Sequence, residues 1–265
     1  MEIIGENTLT GAVPSDLRSV HTDTAPVHTD SVPVILINLF AQRELNAVML
    51  SKITTTEELF STWQNVRPGY RPFSNDGILV QEAWGSASPK IAFLLKESND
   101  NFWDVRGRAW GPSGNSNRFW RNLSIWRYVV TSVLRGDEPS LETAKAVKEA
   151  PLADIAYVNL KKRVECKPRS DPSDIQKYVD EDWPFLTRQI EIINPDLLFF
   201  CGTFRFVRLK MDTEKLGEGV FRVGNRIAVD FYHPSYWRRG YYEFFSLLRN
   251  RLECLKPSAK DRGGH

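Results

Sequence analysis

Four short apolar runs stand out between residues 91 and 231: IAFLL (91–95), IAYV (155–158), LLFFC (197–201) and IAVDF (227–231). Each has strand length, and each is apolar on nearly every position, the pattern of strands buried on both faces. Between them the apolar positions recur at helical spacing, in NRFWRNLSIWRYVVTSVL (117–134), FLTRQIEII (185–193) and YYEFFSLLRNRLECL (241–255). An earlier helix is predicted in TTTEELFSTWQNV, where Thr55 and Glu58 have capping-box spacing. Asn194-Pro195 ends the middle helix just before its strand. Strands alternating with helices predict an α/β fold: a single three-layer domain with a central, mainly parallel four-stranded sheet flanked by helices. In such sheets ligands meet the protein beyond the carboxyl ends of the strands.

The first 31 residues lack this patterning. They are polar and contain a short echo, VHTDTAP followed by VHTDSVP, which reads as an extension without its own core. The expected organisation is an extension over 1–50, partly disordered, a domain over 51–255, and a polar tail over 256–265. VPVILINLF (32–40) is too short to span a bilayer, and its setting does not suit a secretory signal. Three widely spaced cysteines make no disulfide framework and fit a reducing compartment. The expected location is cytoplasmic, and the expected state is a monomer away from membranes.

Charge changes the picture little. The 35 basic and 33 acidic residues leave a formal charge of +2, so an argument for a polyanionic partner must come from local clustering. The predicted strand ends supply such clusters: Lys96-Glu97-Ser98-Asn99, Asn159-Leu160-Lys161, Gly202-Thr203 and His233-Pro234-Ser235 along one rim. Glu97 could hold a water, Asn159 could read a base edge because an amide both accepts and donates, and His233 could stabilise an anion on a leaving group. Each also has a plain structural reading, as a helix-cap partner, a turn former and a loop hydrogen bond respectively.

In order, these motifs resemble those of the uracil-DNA glycosylase superfamily, most closely its iron–sulfur, thermophile-type branch (family 4). The resemblance covers about residues 90–245 and rests on IAFLLKESND leading to RGRAWGPSGN, on YVNLKKRVECKPRSDP, on DWPFLTRQIEIINPDLLFFCGT and on YHPSYWRRG. It implies that Glu97 activates water, Trp110 stacks the extruded base, Asn159 reads that base, and His233 is the active-site histidine. The family's cluster cysteines correspond to Arg163 and Asp182 here, so no iron–sulfur cluster, metal or other cofactor is expected. Asn99 and Asp100 replace the family's Pro and Gly, and the stretch between Trp110 and Asn159 is expanded, with 135–150 as the insertion.

The resemblance further implies double-stranded DNA as partner, with single-stranded DNA a second option, and an extruded nucleotide whose glycosidic bond is hydrolysed. Trp237 matches the wedge that fills the vacated stack, with Arg238 and Arg239 suited to phosphates. Ser98 and Ser235 could donate to phosphates. Lys161, Lys162, Arg163, Lys167 and Arg169 form a basic run whose natural use is phosphate contact; a solvated loop is the alternative. Uracil and a pyrimidine with a polar 5-substituent, hydroxymethyl or sugar-bearing as in some viral DNA, both remain open. Asn99 and Asp100 occupy the region that walls off the 5-position in uracil-strict relatives. A silent lesion-binding module is the rival from another class. An unrelated nucleotide-binding protein is disfavoured, because GxGxxG and Walker-type loops are missing from the sequence.

Overall fold

The structure, a computed structural model, describes residues 48–98, 104–112, 117–165, 167 and 169–256. The four apolar runs form strands β2 (Ile91–Leu95), β3 (Ile155–Asn159), β4 (Leu197–Cys201) and β7 (Arg226–Phe231). All four are mutually parallel, in the order β3-β2-β4-β7. The sheet itself is larger than the expected four strands and mixed: it has seven, with β1 (Gly77–Ile78) antiparallel outside β3, and β6 (Val220–Val223) then β5 (Glu214–Gly217) antiparallel beyond β7. These three additions escape a search for apolar runs for a physical reason. β1 is two residues long, and β5–β6 is an edge hairpin carrying Glu214, Lys215 and Arg222, the charged character that keeps a free edge from pairing further. Its two-residue turn uses Gly219 at φ 65°, which a side-chain-bearing residue adopts reluctantly.

Strand side chains alternate between two faces. Ala92 and Leu94, with Ala156, Val158, Leu198 and Phe200, meet α1 (Thr56–Val66), α5 (Pro172–Ile193) and α6 (Phe204–Val207). Ile91, Phe93 and Leu95, with Leu197, Phe199, Val229 and Phe231, meet α3 (Asn117–Leu134), α4 (Leu141–Val147) and α7 (Tyr241–Arg251). A short helix, α2 (Gln81–Ser86), precedes β2. The result is helix, sheet and helix in three layers. Because β2 is buried on both faces over all five residues, any chemistry must sit at its ends.

Helix limits follow their caps. Thr55 accepts the Glu58 N–H at the start of α1, as the spacing predicts. α5 begins well before the predicted 185, because Asp171 caps it through the Ser173 N–H and Pro172 opens it. Pro184 lies inside this helix and hides its continuity in the sequence. α4, capped by Ser140, is the helical part of the predicted insertion. Among the described residues no helix is long and apolar enough to cross a membrane.

Candidate functional site

The carboxyl ends of β3, β2, β4 and β7 lie side by side, so Asn159, Glu97, Gly202 and His233 share one rim. Two contacts extend the β2–β3 pairing past the strands: Leu160 N–H to Leu95 O and Lys161 N–H to Lys96 O, both 2.8 Å. They hold the Lys161 backbone beside the Glu97 loop. Thr203 Oγ1 donates to Leu94 O at 2.8 Å, closing the β4 end onto β2. Gly202 takes φ 70° and donates to Phe231 O at 2.7 Å, a turn that lays it against His233.

His233 keeps some surface open to the rim while protein atoms pack around its ring. Burial, helped by the nearby Lys96 ammonium, pulls its pKa down to about 4, so the ring is neutral at neutral pH. The Ser235 N–H donates to Nδ1 at 3.2 Å. With Nδ1 occupied as acceptor, the ring proton sits on Nε2 and that atom can only donate. The following Pro234 carbonyl accepts from Asn122 Nδ2 of α3, and the Phe119 ring of the same helix lies 6.1 Å from the imidazole.

Glu97 is buried, with a side chain 1% exposed. The Lys161 ammonium lies 2.9 Å from Glu97 Oε2, 2.5 Å from Asp174 Oδ2 and 3.1 Å from Glu165 Oε2. These three carboxylates offer oxygens within 4.8 Å of one another, close enough to hold a metal ion, and Lys161 supplies the positive charge among them. Its burial opposes its charge, but the three carboxylates outweigh that and raise its pKa above the ordinary lysine value. The ammonium also rests 4.8 Å from the Tyr178 ring centre.

Asn159 is fully buried at the end of β3. The stretch 72–78 runs antiparallel beside 156–164, through Ser74 N–H to Lys162 O, Val164 N–H to Pro72 O and the β1–β3 pair. This delivers Ser74 and Asp76 to Asn159. Asn159 Nδ2 donates to Ser74 Oγ at 3.0 Å, Ser74 Oγ donates to Asp76 Oδ2 at 3.1 Å, and the Asn159 backbone N–H donates to the same Oδ2 at 3.0 Å. Asp76 Oδ1 accepts from Gln189 Nε2 at 2.9 Å and pairs with the Lys162 ammonium. Asn159 Oδ1 is buried and accepts no hydrogen bond among the described residues.

These contacts correct part of the basic-run expectation. Lys161 and Lys162 are fully buried in ion pairs and cannot reach a phosphate; desolvating two ammonium groups demanded partners, and the carboxylates took them. Arg163, Lys167 and Arg169 are exposed. Ser98 is buried at 6% exposure, which takes it away from the surface a phosphate would touch. Asp182, the second position of the family's cluster set, instead accepts from Arg67 at 2.9 Å.

The aromatic expectations divide. Trp110 is built into the scaffold: it pairs with Leu152 through both backbone groups, its Nε1 donates to Val105 O at 2.7 Å, and its ring stacks on Trp120 with Arg108 above it. The ring beside His233 is Phe119, in a cluster with Trp120 and Tyr157. Trp237 is 73% exposed, with the exposed Arg238 against its ring. Ser235 is exposed, while Arg239 is tied to Glu243 and lies over Tyr232. Asn99 and Asp100 lie outside the described residues.

Sequence reasoning missed Ser74, Asp76, Phe119 and Arg205, and placed Lys96 on the rim without giving it a role. Burial, and then the exposed Arg205 after β4, lower the Lys96 pKa. Comparison with known proteins leaves the site to speak for itself: no family model matches the chain, and no curated protein matches it closely.

Proposed function

We propose that this protein is a DNA glycosylase of uracil-DNA glycosylase type, which hydrolyses the N-glycosidic bond of an extruded uracil or 5-modified pyrimidine in duplex DNA. One observation carries the reading: a neutral histidine with its proton on Nε2 shares a strand-end rim with a buried glutamate. His233 and Glu97 follow strands two places apart in the sheet, with the β4 end between them, a spacing of about 10 Å.

In this reaction the bond between sugar C1′ and base N1 breaks with both electrons leaving on the base. The negative charge develops on the pyrimidine O2, and the His233 Nε2–H donates to it. Desolvation that keeps the ring neutral also keeps a proton from being lost to water, so the donor is preorganised. The sugar becomes cationic, and the Glu97 carboxylate both offsets that charge and orients a water. The water oxygen bonds to C1′, its proton is released, and an abasic sugar and free base remain. Asn159 reads the base through its amide, Phe119 and the rings behind it wall the pocket, Trp237 fills the vacated stack, and Arg238 meets phosphate.

The test is base release, read by mass spectrometry, from duplexes carrying uracil, 5-hydroxymethyl pyrimidines or their glucosylated forms. Release of a sugar-bearing base alone would favour attack on foreign DNA over repair. Glu97→Ala and His233→Ala should each lower release by about 10²–10³ while DNA affinity and fold persist. Because His233 is neutral down to about pH 4, the rate should show no histidine inflection near pH 6.5. DNA binding without release from any duplex would instead identify a silent lesion-binding module.

A further inference from the structure

The buried polar network behind Asn159 does more than support the strand end. We infer that Ser74 and Asp76 are positioning residues that lock the Asn159 amide in one orientation, so that the site reads the base edge in a single donor–acceptor sense. The inference deepens the glycosylase reading and rests on it for the identity of the ligand.

An asparagine amide can usually turn over, exchanging its oxygen and nitrogen. Here the chain of donors forbids it. Apart from Ser74, the described groups bonded to the Asp76 carboxylate are all donors: the Asn159 backbone N–H, the Lys162 ammonium and Gln189 Nε2, which also faces the Asp76 backbone carbonyl. The Ser74 hydroxyl proton therefore belongs to Asp76, and Ser74 Oγ is left only lone pairs toward Asn159. An amide turned over would set its oxygen against that acceptor. All five side chains, Ser74, Asp76, Asn159, Lys162 and Gln189, are fully buried, so a wrong arrangement inside the network would leave a donor or acceptor unpaired at a high cost. The orientation leaves Asn159 Oδ1 as a buried acceptor with no donor among the described residues. A ligand completes it with an N–H, and uracil-type and cytosine-type edges carry theirs at different places: on ring N3 or on the 4-amino group. A fixed amide suits one of these. A free amide would suit both.

The experiment compares wild type with Ser74→Ala on matched duplexes: uracil against cytosine, and the 5-hydroxymethyl derivative of each. Base release is measured, and the Asn159 side-chain amide signals are recorded in parallel by ¹⁵N NMR, assigned through Asn159→Asp. Wild type should release one member of a pair. Ser74→Ala should shrink that preference by about ten- to a hundredfold, the scale of one buried hydrogen bond, and shift or broaden the amide signals. Ser74→Thr, which keeps the hydroxyl, should restore both. Ser74→Cys, a weaker partner of similar shape, replaces Ser74→Ala if the latter fails to fold. An undiminished preference in Ser74→Ala, or amide signals identical to wild type, overturns the lock. If wild type releases nothing from any duplex, the glycosylase reading falls, and the amide signals alone decide for or against the lock.

Discussion

Lys161-Lys162 and Arg238-Arg239 are two pairs of basic residues, the first beginning two residues beyond Asn159 and the second five beyond His233, and they have opposite fates. The lysines are fully buried, one among Glu97, Glu165 and Asp174 and the other against Asp76. Arg238 lies open beside the exposed Trp237, and Arg239 is intermediate. Charge alone says nothing of this difference. Its cause is where the chain goes next: β3 is flanked by β2 on one side and by the 72–78 stretch on the other, so residues beyond Asn159 are roofed over. β7 is followed by a loop that runs outward to α7. One pair builds the site, and the other faces whatever comes to it.

The comparison breaks most visibly at Lys162. Its ammonium rests over the Phe60 and Trp63 rings and balances Asp76. Lys162→Met fits the apolar surroundings but strands a buried carboxylate, and losing one partner of such a pair typically costs about 3–5 kcal/mol. Urea denaturation should show that loss, with Asp76→Asn in the same background recovering part of it. A loss under about 0.5 kcal/mol, the scale of surface substitutions, would mean that Lys162 is as dispensable as an exposed lysine.

Lys161 comes second, because Asp174 and Glu165 keep 28% and 14% of their side chains exposed and can recover solvation. Lys161→Met should cost about 1.5–3 kcal/mol, the scale of hydrogen bonds to charged groups. The sign with pH follows from the raised lysine pKa. The wild-type advantage is fully present below the unfolded lysine value of about 10.4 and disappears as pH rises through the higher folded value. On the acid side, Lys167 first and Lys161 with it hold the Glu165 pKa down. That contribution is present above about pH 4.3 and fades as pH falls through the folded value. Removing the ammonium also leaves three convergent carboxylates, so Mn²⁺ should raise the melting temperature of Lys161→Met and not of wild type. An equal response of both proteins would show that the ammonium does not fill that space.

These contrasts show which parts of the molecule were legible in the sequence. The four central strands were, because burial on both faces forces continuous apolar runs. β1, β5 and β6 were not, since short or charged edge strands carry no such run. Glu97, Asn159 and His233 were visible because each follows a legible strand, and the structure brings all three to one rim. Ser74, Asp76 and Phe119 were invisible: they reach the rim from an irregular stretch and from the start of a helix, and only long-range pairing delivers them. The basic run misled because a sequence shows charges without their partners, and the partners of Lys161 and Lys162 lie as far away as Asp76.

The smallest effect on the fold, and the clearest on DNA, belongs to the exposed side of the comparison. Trp237 is 73% exposed and its described ring contact is with Arg238. Trp237→Ala should therefore change stability by less than about 0.5 kcal/mol. If the indole plugs a duplex from which a nucleotide has left, the same change should slow release from duplex far more than from single strands, where no gap needs filling. Equal losses on both would remove the wedge role. The arginines sharpen this further. Arg238 carries no ion pair among the described residues, whereas Arg239 is held by Glu243 and its backbone carbonyl accepts from the Arg118 guanidinium. A free cation that releases counterions from DNA should lower the salt-dependence slope by about one when removed; a cation already neutralised by a carboxylate should lower it less. Binding of Arg238→Ala and Arg239→Ala to one duplex across a salt series separates them. A larger slope change for Arg239 would mean that DNA displaces Glu243, making the Arg239–Glu243 pair a latch that opens on binding and not a fixed part of the loop.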